Sequence, residues 1–355
     1  MNYKELWKLT AADGSEYPID DVRWRSDEGD LLDIAFRPLL EMVQPDNAFP
    51  GLWKYKDLLP VFGLPYIVSF GEGDTPVVKE QIGGTEFLLK LEYLFPTGSY
   101  KDRGASVLIS KIKELGIKEI VEDSSGNAGC AIAAYAAKAG IRCEILVSVS
   151  TSPAKIRQLE AYGAKVTKIA GDRQAVANAA LEKAQTAYYA SHSWNPFFFQ
   201  GTKTFAYEIA AQCRDNFPGG IVLPVGNGTL LIGAYLGFAE LYECGLIPFI
   251  PKMIAVQAAN CAPLLEEPGP FAPTIAEGIA VRRPVRRQQI LDIIRKTGGT
   301  VITVEEQAIA EAWSQAALRG YYIEKTSAAG WAALAELPAQ ERYLLALTGH
   351  GLKNT

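Results

Sequence analysis

From Lys101 onward, short apolar runs alternate with helical patterns, and that alternation admits few folds. Strand-like runs are expected at 117–121, 144–149, 165–170, 188–191, 221–225, 253–257 and 301–304. Between them, helical periodicity is expected up to about 138 and at 153–162, 173–187, 230–242, 286–296 and 305–319. Ser152 is expected to cap the second of these helices, with Pro153 at its first position. Strands separated by helices pair in parallel, because a crossover must return each strand to the same edge of the sheet. At 355 residues the chain is long enough for two such sheets, each with its own core. The acidic, proline and arginine cluster at 263–284 is expected to be a long irregular loop.

Bulk properties narrow the function. The net charge is −5 and no basic stripe is visible, so nucleic-acid binding has no support. Cys130, Cys143, Cys213, Cys244 and Cys261 form no C-x-x-C pair, and His192 and His350 are the only histidines. Neither a metal site nor a disulfide framework is expected. Residues 219–239 carry no charge and approach the length of a membrane span. Pro224 and the Gly226-Asn-Gly228 turn divide that stretch, however, as in a buried strand followed by a buried helix. Residues 1–9 contain Lys4, Glu5 and Lys8 and lack the apolar core of a signal peptide. The expectation is a cytoplasmic protein outside any membrane.

Four segments carry chemistry. Pro96-Thr-Gly-Ser-Tyr-Lys-Asp-Arg-Gly104 sets Lys101 in a Gly/Ser turn that opens into a helix. A cation there is unusual, since helix N-termini carry partial positive charge. An uncharged amine is the form that attacks a carbonyl. Glu122-Asp-Ser-Ser-Gly-Asn-Ala-Gly129 links a strand to an Ala-rich helix through a small polar turn, which suits an anion. Gly220-Ile-Val-Leu-Pro-Val-Gly-Asn-Gly-Thr229 repeats the strand, turn and helix pattern and suits a phosphate. Leu347-Thr-Gly-His-Gly-Leu-Lys353 ends the last strand with a hydroxyl at Thr348.

Together these segments resemble the fold-type II pyridoxal-phosphate enzymes, and most closely the threonine synthases. Gly51-Leu-Trp-Lys-Tyr-Lys-Asp-Leu-Leu-Pro60, Gly71-Glu-Gly-Asp-Thr-Pro76 and Thr274-Ile-Ala-Glu-Gly-Ile279 resemble further blocks of that family. The resemblance implies an α/β fold: two open parallel-sheet domains with the cofactor between them, plus a short N-terminal flap. The expected division is a flap at 1–50, a large cofactor-binding domain at 51–89 and 201–355, and a small substrate-side domain at 90–200. Residues 14–33 resemble the cysteine-bearing ribbon that opens many threonine synthases, with Ser26 and Glu28 in cysteine slots. The implied reading is an antiparallel flap that binds no zinc.

The resemblance also implies roles. Lys101 holds pyridoxal 5'-phosphate as a Schiff base and later removes the substrate α-proton. Asn127 hydrogen-bonds the cofactor's 3′ oxygen, and Gly226, Asn227, Gly228 and Thr229 cradle its phosphate. Thr348 faces the pyridine nitrogen. Ser124, Ser125 and Gly126 bind the substrate α-carboxylate. Lys203, Thr204 and Glu208 resemble the family's helix-entry block near the domain junction, and His350 is assigned no catalytic role. One departure stands out. Threonine synthases read Asn-Pro-x-Arg-x-Glu-Gly-x-Lys-Thr, and that arginine grips the phosphate of O-phosphohomoserine. This chain reads Asn195-Pro-Phe-Phe-Phe-Gln-Gly-Thr-Lys-Thr204, with Phe198 in the arginine's slot. Ala128 also stands where a threonine is common. The expected activity is aldimine formation on a small amino acid, α-proton removal, and elimination or replacement at the β or γ carbon, in a homodimer. An authentic threonine synthase and a non-enzymatic cofactor carrier or regulator are the alternatives.

Overall fold

The computed structural model describes residues 3–171, 173–266, 269 and 271–354. The chain opens with strands β1 (Trp7–Ala11), β2 (Glu16–Pro18) and β3 (Leu32–Phe36), then runs through 3-10 turns to the hairpin β4 (Val77–Ile82) and β5 (Thr85–Lys90). Next come α1 (Lys101–Glu114), β6 (Glu119–Glu122), α2 (Asn127–Ala139), β7 (Arg142–Ser148), α3 (Pro153–Ala161), β8 (Lys165–Ile169), α4 (Arg173–Lys183), β9 (Tyr188–Tyr189) and α5 (Pro196–Thr202). They are followed by α6 (Thr204–Gln212), β10 (Gly220–Pro224), α7 (Thr229–Glu243), β11 (Lys252–Ala258), α8 (Arg287–Lys296), β12 (Thr300–Val304), α9 (Glu306–Leu318), α10 (Lys325–Ala333) and β13 (Tyr343–Ala346). The chain divides into two compact units.

Unit 1 comprises Met1–Gly73 and Lys101–Thr202. Its main sheet has the order β8-β7-β6-β9, with every pair parallel. Helices α2 and α5 both pack on α1. The Ala-rich α2 closes at Gly140, whose φ of 68° gives the left-handed C-terminal turn that glycine adopts without strain. Ser152 takes the N-cap position of α3, but its side chain makes no capping hydrogen bond. The expected flap is an antiparallel sheet, β2-β1-β3, that begins earlier and ends later than residues 14–33. Trp7, Leu9, Ile19, Trp24 and Leu32 join the unit's main core, so the segment is a layer of unit 1. Ser26 is buried and accepts the Asp30 N–H at 2.9 Å, closing the turn with a hydroxyl. Glu28 is exposed.

Unit 2 comprises Asp74–Tyr100 and Lys203–Thr355. Its sheet has the order β12-β11-β10-β13-β5-β4, parallel except for the β4–β5 hairpin. Central strand β10 is buried along its whole length, the continuous apolar run of a strand covered on both faces. Pro224, which cannot donate to a ladder, sits at its last position. The uncharged 219–239 stretch is therefore β10, a turn and α7. Among the described residues no helix is long and apolar enough to cross a membrane. Residues 267, 268 and 270 of the expected 263–284 loop lie outside the described residues.

Two domain boundaries differ from the expected ones. Residues 51–73 belong to unit 1 because they dock on α1. The Trp53 indole N–H donates to Ser106 Oγ at 2.9 Å, and the Val68 N–H to Ser110 Oγ at 2.8 Å. Residues 90–100 belong to unit 2. Lys90 Nζ pairs with Glu208 Oε2 at 2.7 Å, both side chains fully buried, and the Tyr100 N–H donates to the Thr348 carbonyl at 3.1 Å.

Candidate active site

Lys101 is the first residue of α1 and is half-buried. Its position follows from the close approach of α1 and α5. A Cβ at Gly201 would collide with the Arg103 carbonyl, and one at Gly104 with the Phe198 ring. These two glycines let the helices touch, and Phe198 fills the remaining space with no exposed surface. Lys101 Nζ lies 5.9 Å from the centroid of that ring. On another side, His192 meets the ring edge-on at 6.1 Å.

The turn at 124–127 joins β6 to α2. Gly126 is the N-cap and Asn127 the first helical residue. Ser124 Oγ accepts the Gly126 N–H at 3.3 Å. Gly129 can carry no Cβ, because the Ser124 carbonyl occupies that space. Ser124, Ser125, Gly126 and Asn127 are all half-buried, so their polar groups sit at the edge of the fold, at the N-terminus of a thirteen-residue helix. Ala128, just inside α2, is buried.

Just upstream, sequence reasoning missed a buried pair. Glu122 Oε1 lies 2.7 Å from His192 Nδ1, and both residues are almost wholly buried. Burial raises the Glu122 carboxyl well above the usual carboxylate range, and the adjacent Asp123 charge adds to the effect. Burial likewise holds His192 well below the usual imidazole range, helped by the Lys101 and Arg173 charges. Burial thus disfavours the charged form of each group. A carboxyl raised in this way is easier to protonate in the fold than in the unfolded chain. That stabilisation is complete below the unfolded carboxyl value and is lost as pH rises through the folded one. His192 works in the opposite sense: its contribution is present above its unfolded value and lost as pH falls. Glu122→Gln keeps a neutral donor and removes the titration. As pH rises above the unfolded carboxyl value, the parent should lose stability relative to this variant, by up to about 1.4 kcal/mol per pH unit. Urea unfolding at several pH values checks it, and parallel curves would mean that Glu122 is ionised in the fold.

In unit 2 the second turn lies at the C-terminal end of β10. Gly228 caps α7 with φ 72°, a conformation that side chains resist. A Cβ at Gly226 would sit about 3.0–3.1 Å from Val281 and the Gly278 carbonyl, so glycine lets the 278–281 segment approach. Thr229 Oγ1 is 2.8 Å from the Tyr100 hydroxyl. Thr348 lies two residues beyond β13, the neighbour of β10 in the sheet. Its Oγ1 is 3.0 Å from Ser327 Oγ on α10. His350 packs edge-on against Tyr93 and Tyr322, and its Nδ1 accepts the Leu352 N–H. Lys203 pairs with Glu240 of α7 at 2.8 Å, while Glu208 serves Lys90. Among the described residues, no group of three His, Cys, Asp or Glu is placed to hold a metal ion.

Comparison with known proteins decides the family. A family model described as pyridoxal-phosphate dependent enzyme matches residues 68–349. The chain belongs to the pyridoxal-phosphate-dependent enzymes. It is 35% identical to a threonine synthase of Methanosarcina acetivorans, covering 96% of this chain and 90% of that one. It is 32% identical to a threonine synthase of Methanocaldococcus jannaschii, covering 96% and 91%. Among solved structures, a threonine deaminase from T.th. superposes with a TM-score of 0.65 at 26% identity, over 78% of this chain and 92% of that one. The chain is thus a threonine synthase-like, pyridoxal-phosphate-dependent lyase of fold type II. Each unit carries donors of the kinds this cofactor takes: unit 1 an amine at Lys101 and a small turn opening α2, unit 2 a small turn opening α7 and a nearly buried hydroxyl at Thr348. Besides Glu122 and His192, the sequence reading passed over Tyr100 and Ser327. Tyr100 adjoins Lys101 within the Pro96–Gly104 motif, and His192 is one of only two histidines. Both were findable. Ser327 gives no local signal, because its partners are 21 and 22 residues away.

Proposed function

We propose that this enzyme acts on a small, unphosphorylated amino acid, removing the α-proton and then eliminating or replacing a group at the β or γ carbon. Pyridoxal 5'-phosphate supplies the electron sink when bound. Lys101 carries it and moves the α-proton at Nζ. Gly226, Asn227, Gly228 and Thr229 hold the phosphate, Asn127 the 3′ oxygen, and Thr348 the ring nitrogen. Ser124, Ser125 and Gly126 orient the substrate carboxylate. One observation carries the substrate class: Phe198 is fully buried on Gly104, 5.9 Å from Lys101 Nζ, where the threonine synthases resembled place an arginine. An apolar ring there offers a dianion nothing and imposes a desolvation cost.

A second reading is an authentic threonine synthase that grips its phosphate elsewhere. Arg282 and Arg283 favour it. Both are exposed, and they follow the 278–281 segment that abuts Gly226. The scatter of Cys130, Cys143, Cys213, Cys244 and Cys261, with no C-x-x-C pair, supports a reducing cytoplasm. Phe62, Leu64, Tyr66 and Phe70, exposed within one short stretch, support a homodimer that covers them. A panel of phosphorylated and unphosphorylated amino acids, with products identified by mass, tests the substrate class. Turnover of unphosphorylated acids is expected. Threonine formed from O-phospho-L-homoserine as the dominant reaction would favour the second reading.

A further inference from the structure

The hydroxyl of Ser327 is fully buried in the first turn of α10. Its Oγ accepts two backbone N–H groups, from Thr348 at 2.9 Å and from Gly349 at 3.1 Å. A hydroxyl has two acceptor lone pairs and one proton, and both lone pairs are occupied. The third contact, to Thr348 Oγ1 at 3.0 Å, would by distance alone run either way. The count fixes its direction: Ser327 donates and Thr348 accepts. Thr348 then keeps its own proton, which has no acceptor among the described residues.

We propose that Ser327 is a positioning residue that sets the polarity of the Thr348 hydroxyl, making it a donor and so favouring an unprotonated pyridine nitrogen. This rests on the reading that Thr348 faces the ring nitrogen. Thr348 retains one lone pair, so it would still be able to accept from a protonated ring. That arrangement would leave its proton unsatisfied in a site only 4% exposed, which is costly. The donor arrangement satisfies every hydrogen. The polarity comes from the main chain after β13, through Ser327, without any charged group.

The test is nitrogen NMR of the holoenzyme carrying pyridoxal phosphate labelled at the ring nitrogen. In the parent, the signal should sit at the unprotonated position and stay there across neutral pH. In Ser327→Ala the two N–H groups lose their acceptor and the Thr348 hydroxyl is free to turn. The protonated fraction at a given pH should then rise by roughly tenfold, the worth of about one hydrogen bond. Ser327→Cys, a weaker donor and acceptor, should give a smaller shift of the same sign, and it serves should the alanine variant not fold. Thr348→Val separates the two claims. If it moves the signal while both Ser327 variants leave it in place, the polarity role is overturned and the placement of Thr348 survives. If Thr348→Val leaves the signal unmoved, both fall.

Discussion

Lys101→Ala should lose the covalent cofactor and about 10²–10⁴-fold in kcat, the usual worth of a positioned general base. The loss should be chemical and not structural. Lys101 is half-buried at the first position of α1, where the helix field disfavours a cation by about 0.3–1 kcal/mol. Alanine there should leave stability unchanged or slightly raised. Its neighbours Asp102 and Arg103 are fully buried and remain in place. Visible absorbance, steady-state rates and a urea melt on one preparation check all three points. A variant that keeps its colour and most of its kcat would remove Lys101 from the chemistry.

The second large effect concerns the substrate. A charge-assisted hydrogen bond contributes roughly 1.5–3 kcal/mol. Losing a bidentate arginine grip should therefore cost about 2–4 powers of ten in kcat/KM, at about 1.4 kcal/mol per tenfold. O-phospho-L-homoserine should fall below about 10⁴ M⁻¹s⁻¹, the lower end of ordinary enzymes, and an unphosphorylated acid should exceed it. Restoring the arginine is not expected to help. Phe198 is packed on Gly104 with no exposed surface, so Phe198→Arg would bury an unpaired guanidinium in the core. That variant should be unstable before it is informative, and the comparison between substrates is the decisive one. Steady-state kinetics that put the phosphorylated substrate in the ordinary range would return the phosphate grip to Arg282, Arg283 or other residues.

Much of the fold was legible because its signals are local. Most strands and helices after Lys101 follow from apolar runs, turn glycines and helical period, and their ends move by only a few residues; α5 and α10 were not expected. The β4–β5 hairpin carries a signal that was not used. Gly83 and Gly84, with φ of 59° and 85°, form the tight two-residue turn between β4 and β5. What the sequence does not carry is tertiary. The 51–73 segment joins unit 1 through Trp53 and Ser106, which are 53 positions apart. Glu122 and His192 meet across 70 positions. An acidic Glu122-Asp123 pair reads as solvated, yet both side chains are buried, Asp123 beside Arg173 at 2.6 Å. Site chemistry splits the same way. Lys101 and the two turns lie in contiguous motifs, whereas Ser327, the hydrogen-bond partner of Thr348, lies 21 positions away from it.

Borohydride reduction followed by peptide mass mapping tests the central claim most directly. Reduction fixes the cofactor on whichever amine carries it. The expected result is a pyridoxyl group on Lys101 alone, in the peptide that begins α1, and none in Lys101→Ala. A pyridoxyl group on any other lysine of the parent protein would contradict the account.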